Sequence, residues 1–239
     1  MMKKQRNRTV ASAASIAMTA IVLTSASAGA ATLASWDSWS DSTTADGLDS
    51  DFSTALVTTT ITGTAVRDIV TNRGSTDETF GTLVGAVSDT QALRMNKPDG
   101  SILEINVENN SGATLTFGQL HFDGVFTGDS IRDFDVVFVN VTAATTSASL
   151  GSGSITTDTN DVGFVADYDD FDVDVSSISL NDGEVGYFQI TFDGGQPTGA
   201  AINSASTIDS VAVTLIPEPS SAVLLGLACL GMTSRRRRI

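Results

Sequence analysis

Apolar and polar residues alternate strictly along several short stretches of this chain, and such a stretch can bury a single face only as a β-strand. In residues 102–108, Leu103, Ile105 and Val107 fall on one side and Glu104, Asn106 and Glu108 on the other. Residues 187–192 repeat the pattern with Phe188, Ile190 and Phe192, and residues 171–175 with Phe171, Val173 and Val175. Residues 208–215 set Val211, Val213 and Leu215 against Ser210, Ala212 and Thr214. Residues 134–141 are apolar on both sides, which predicts a central strand, and the Thr-rich residues 55–65 predict another. Turn signals separate these runs: Pro98-Asp99-Gly100, Asn110-Ser111-Gly112, Asn181-Asp182-Gly183, Asp193-Gly194-Gly195 and Asp123-Gly124. The expectation is an all-β domain over residues 31–216, a two-sheet β-sandwich of jelly-roll type with roughly eight to ten short strands.

Charge separates the ends of the chain from its body. Of the 13 basic residues, Lys3, Lys4, Arg6 and Arg8 open the chain and Arg235, Arg236, Arg237 and Arg238 close it. Every acid except Glu218 lies within the body, and the net charge is −15. Phosphate binding needs clustered Lys and Arg, so nucleic acid is excluded as a partner. The single Cys and single His exclude an internal disulfide and any multi-Cys or multi-His metal site.

Residues 1–30 have the three parts of a secretory signal peptide: a basic start, an apolar stretch centred on residues 16–23, and small residues up to Ala28 and Ala30. This implies passage through the secretory translocon. At the other end, Pro217-Glu218-Pro219 precedes an uncharged span that ends at Ser234, followed by the four arginines. Such a span reads as a short transmembrane helix of about 24 Å at 1.5 Å per residue. That is less than the ~30 Å hydrocarbon core, a gap that snorkelling arginines narrow. Arg235–Arg238 then act as the cytoplasmic stop-transfer cluster, leaving the acidic body outside.

This tail, residues 217–239, resembles the PEP-CTERM protein-sorting signal in length, order and position. The resemblance implies recognition by an exosortase-type membrane protease. It also implies processing at Pro217, Glu218 and Pro219, and transfer from a transient membrane anchor to the cell surface or extracellular matrix. The body is similar to β-sandwich ectodomains found upstream of such signals, through Leu33-Ala34-Ser35-Trp36-Asp37, His121-Phe122-Asp123-Gly124 and the closing Ile208–Val213 stretch.

Candidate chemistry in the body is sparse. His121 lacks any nucleophile elbow around it and reads as a structural histidine. The many acids provide no distinguishable pair for glycoside hydrolysis, so no catalytic residue is assigned. Calcium is the candidate cofactor, with Asp167, Asp169 and Asp170 on a loop just before the 171–175 strand as its ligands. The competing account makes surface acid a solubility device. Trp36 and Trp39 are the candidate stacking platform for a surface polysaccharide, although residues three apart on a strand face opposite ways. The sequence thus favours a non-catalytic exported surface or matrix protein. An extracellular carbohydrate-binding module is the alternative, and an extracellular hydrolase the third reading.

Overall fold

A computed structural model of the chain describes residues 31–37, 48–55, 57–63, 66–71, 73–86, 91–95, 100–127, 132–159, 166–193 and 206–216. The expected signal peptide (1–30), Trp39 and the tail (217–239, including Pro217, Glu218, Pro219 and Arg235–Arg238) lie outside the described residues. Among the described residues no helix is long and apolar enough to cross a membrane.

The fold is all-β. The first half comprises β1 (Ala31–Trp36), β2 (Leu48–Asp49), β3 (Phe52–Ser53), β4 (Val57–Thr62), β5 (Val66–Thr71), β6 (Thr79–Phe80), β7 (Leu83–Val84), β8 (Gln91–Met95) and β9 (Ser101–Asn109). The second comprises β10 (Leu115–Val125), β11 (Asp133–Asn140), β12 (Thr145–Thr146), β13 (Gly151–Ser154), β14 (Asp169–Asp174), β15 (Ser179–Leu180), β16 (Val185–Asp193) and β17 (Thr207–Leu215). One sheet runs β14-β10-β17-β1-β3, with β8 also paired to β17; the other runs β12-β11-β16-β9-β4-β2. Long strands alternate between the sheets along the chain: β9, β11 and β16 in the second, β10, β14 and β17 in the first. All of their named pairings are antiparallel.

The two sheets pack as a sandwich because each alternating strand turns its apolar set inward. Leu103, Ile105 and Val107 of β9 and Phe188, Ile190 and Phe192 of β16 are buried in the shared core, as the alternation predicts. Phe117 of β10 crosses the gap to meet Phe188 edge-on at 5.0 Å and Phe138 of β11 at 5.9 Å. Phe122 meets Phe134 of β11 at 5.1 Å and stacks on Phe171 of β14 at 5.0 Å. The contacts of Phe117 with Phe188 and Phe138, and of Phe122 with Phe134, cross between the sheets and fix the separation of the layers.

Two expectations change. β11 is hydrogen-bonded on both edges, yet only Phe134, Val136 and Phe138 are buried; Val137 and Val139 are half-buried and Val141, beyond the strand, is exposed. The second sheet leaves its outer face uncovered there, so pairing on both edges does not bring burial on both faces. Asp123-Gly124 is not a turn: both residues lie inside β10. Gly124 packs closely there: a Cβ would press on the side chains of Ile155 and Phe171 at 3.1–3.2 Å.

β17 contains a bulge that the alternation did not reveal. Its pairing with β10 runs from His121↔Ala212 to Asp123↔Asp209, so β17 has one extra residue between these points, and Ser210 takes a φ of 49°. Strict alternation would put Asp209 on the core side with Val211 and Val213. The bulge instead returns Ile208 to the core and frees Asp209 for the outer face.

Candidate metal centre and adjoining groove

The outer face of the first sheet is lined with aspartates because the polar halves of three alternating strands meet there. β10 contributes Asp123, β14 contributes Asp170 and Asp172, and the bulged β17 contributes Asp209. The segment 75–82, which carries β6 and the turn of the β6–β7 hairpin, lies across this face. The Ser75 N–H donates to Asp209 Oδ2 at 2.7 Å and the Gly81 N–H to Asp123 Oδ1 at 2.6 Å. The Thr82 N–H donates to Asp172 Oδ1 at 3.2 Å, and its hydroxyl donates to Asp172 Oδ2. Gly81 has a φ of 52°, and a Cβ there would come within 2.6 Å of the Phe171 carbonyl oxygen, so only glycine lets the segment sit this close. Phe80 and Ala86 bury themselves against Ala212, a small second core outside the sandwich.

Asp77 is anchored inside this segment. Its Oδ1 accepts from the Ser75 hydroxyl at 2.9 Å and the Thr79 N–H at 3.2 Å, and its Oδ2 from the Thr79 hydroxyl at 2.5 Å. One carboxylate oxygen each from Asp77, Asp123 and Asp170 lie within 4.8 Å of one another. Asp123 is 0% exposed, and its Oδ2 has no hydrogen-bond partner among the described residues. Burial pushes the Asp123 carboxyl up to about 9, against the pull of the Gly81 N–H; the charges of Asp77, Asp209 and Asp170 add to the rise. Asp170 is pushed up to about 6, first by partial burial and then by Asp77, Asp167 and Asp172. Asp172 stands apart from the trio. Partial burial would raise it, but hydrogen bonds from Thr82 and from His121 Nδ1, at 2.6 Å, hold it below the usual carboxylate value. His121 is thus a buried structural partner of Asp172.

The sequence placed the cation ligands at Asp167, Asp169 and Asp170. The structure separates them. β14 begins at Asp169, so Asp169 and Asp170 point to opposite faces. Asp169 accepts from the N–H groups and hydroxyls of Thr156 and Thr157; these bonds outweigh its partial burial and hold its carboxyl below the usual value. Asp167 is exposed and outside the trio. Only Asp170 joins the cluster, with two partners distant in sequence. Asp123 was missed because Asp-Gly reads as a turn, and Asp77 because nothing local marks it.

Trp36 is not a stacking platform: it is 1% exposed, packed in the sandwich core at the end of β1. Among the described residues the exposed large aromatic is Phe52, 50% exposed, on a groove of about 380 Å³ beside Asp37, Asp51, Phe80 and Val84. Asp51 Oδ2 accepts from the Asp37 N–H at 2.8 Å. The hairpin that covers the aspartate face therefore also forms one wall of this groove.

No family model matches the sequence, and no curated protein matches it. Among solved structures, a family 29 carbohydrate-binding module is 16% identical over 66% of this chain and 89% of the module, with a TM-score of 0.31. A variant of such a module complexed with cellulohexaose is 15% identical over 68% of this chain and 94% of its own, also at 0.31. The enzymatically active domain of a bacteriophage CBA120 tailspike protein is 13% identical over 68% of this chain and 20% of its own, at 0.36. At such low TM-scores these likenesses carry neither ligand nor activity over to this chain.

Proposed function

We propose that the chain is a non-catalytic exported protein of the cell surface or extracellular matrix. In this reading a jelly-roll-type sandwich is delivered by the signal peptide and held briefly by the C-terminal span. An exosortase-type protease then processes it at Pro217–Pro219. One observation supports this most. β1 and β17 are antiparallel neighbours with Ala31 opposite Leu215, so the start of β1 and the end of β17 lie side by side at the same end of one sheet. The last backbone bond among the described residues is donated by the Ile216 N–H to the Thr116 carbonyl at 3.0 Å. Pro217 follows directly and has no N–H to continue the ladder. Cleavage at the motif would therefore leave every described strand in place. Replacing Pro217, Glu218 and Pro219 together by Ala is expected to leave the body folded and to retain the unprocessed chain in membranes. Normal release of that variant to the surface would overturn the reading.

The groove beside Phe52 favours a second reading, an extracellular carbohydrate-binding module. An exposed aromatic ring next to carboxylates offers a sugar both a stacking surface and hydrogen-bond acceptors. Glycan-array binding by the protein, lost in Phe52→Ala while the melting temperature holds, is the expected result. Binding unchanged by that substitution would exclude the groove.

A further inference from the structure

We propose that Asp77, Asp123 and Asp170 together hold one hard divalent cation, of the calcium class, which clamps segment 75–82 onto the outer face of the first sheet. The inference does not depend on how the chain is sorted or on whether it binds glycans.

Three observations support it. First, the mutual spacing of the three oxygens, within 4.8 Å, is what ligands of a common ion require, since opposite ligands stand at twice the calcium–oxygen distance of about 2.4 Å. Second, Asp123, a member of the cluster, is fully buried and has an Oδ2 that no donor among the described residues meets. A buried carboxylate oxygen left without a donor is costly, and a cation is the partner that three converging carboxylates can share. Third, the surroundings are built to hold these ligands still. Asp77 is fixed by Ser75 and Thr79, and Asp123 Oδ1 by Gly81, whose lack of a Cβ brings the segment down onto β14. The nearby Asp172 is already engaged by His121 and Thr82.

The donor set is all oxygen, which selects calcium or magnesium over zinc or copper. Asp170 lies on the exposed side, so water can complete the coordination shell there. The chain of consequences is structural. Asp77 belongs to the covering segment, whereas Asp123 and Asp170 belong to the sheet. An ion between them ties one to the other, and with them the groove wall formed by Phe80 and Val84.

The test uses the full-length chain in detergent, stripped with EDTA and then titrated with CaCl2 or MgCl2 by calorimetry, with melting followed in parallel. The expected result is one site for at least one of the two ions and a melting temperature raised by several degrees. Hydrogen exchange at the Ser75 and Gly81 amides should slow when the ion is bound. Asp170→Asn, at an exposed position, should weaken binding on the order of tenfold or more. Asp174→Asn, exposed on the same strand but outside the trio, should bind as the parent does. Asp123→Asn, which removes a carboxylate ligand, should lose the response to either ion. No heat and no shift with either ion would overturn the proposal. So would an undiminished response in Asp170→Asn or Asp123→Asn.

Discussion

Phe188→Ala is expected to lower the unfolding free energy by about 3–5 kcal/mol, the usual cost of emptying a buried phenylalanine site. Phe188 lies in the middle of β16, fully buried, with Phe117 of the opposite sheet at 5.0 Å and Phe138 of the neighbouring strand at 4.9 Å. Both neighbouring rings lose a packing partner, and the cavity opens between two sheets held at a fixed spacing, so the site cannot collapse around it. Domains of this size have about 5–15 kcal/mol in total. One substitution would therefore remove a large share of the stability. Urea unfolding of the variant beside Val141→Ala checks this. Val141 is exposed, and its truncation should change stability by less than about 0.5 kcal/mol. A Phe188→Ala loss below 1 kcal/mol, taken as the ~1 kcal/mol average for point mutants, would mean the sheets do not pack through this ring.

Gly63→Ala should be the next most damaging change, costing at least about 2 kcal/mol. Gly63 follows β4 with a φ of 125°, a conformation that L-residues rarely adopt. A Cβ there would also run into the Ile102 carbonyl oxygen, with Leu103 Cα at 3.1 Å. Both obstacles are backbone atoms of β9, so relief requires β4 and β9 to part. The same substitution at Gly183, with a φ of 76° but open space around it, should cost less, because only the backbone strain remains. Equal losses at the two positions would show that contact with β9 is not what excludes a side chain at Gly63.

The elements that were legible are those whose signal is local. Leu103, Ile105 and Val107 alternate against Glu104, Asn106 and Glu108, and β9 buries the first set as that pattern requires. Gly100, Gly112 and Gly183 marked turns and adopt the positive φ that suits them. Of the candidate site only Asp170 was legible, for three physical reasons. Its ligands come from a covering segment and two strands that meet only through the sheet pairing. Asp123-Gly124 has the composition of a turn, but its glycine serves close packing inside β10. The position of Asp209 depends on a bulge at Ser210, and a bulge shifts the alternation by one residue without any change in composition. Trp36 shows the converse: its chemistry suggested a binding surface, and its place in β1 turns it into the core.

The central claim, an exported sandwich processed just beyond its last strand, is tested most directly by intact mass. The protein would be recovered from its native host with membrane and surface fractions kept apart. The account predicts a surface form that begins near Ala28–Ala31 and lacks everything beyond Pro217–Pro219. A surface form that still ends at Ile239 would contradict it.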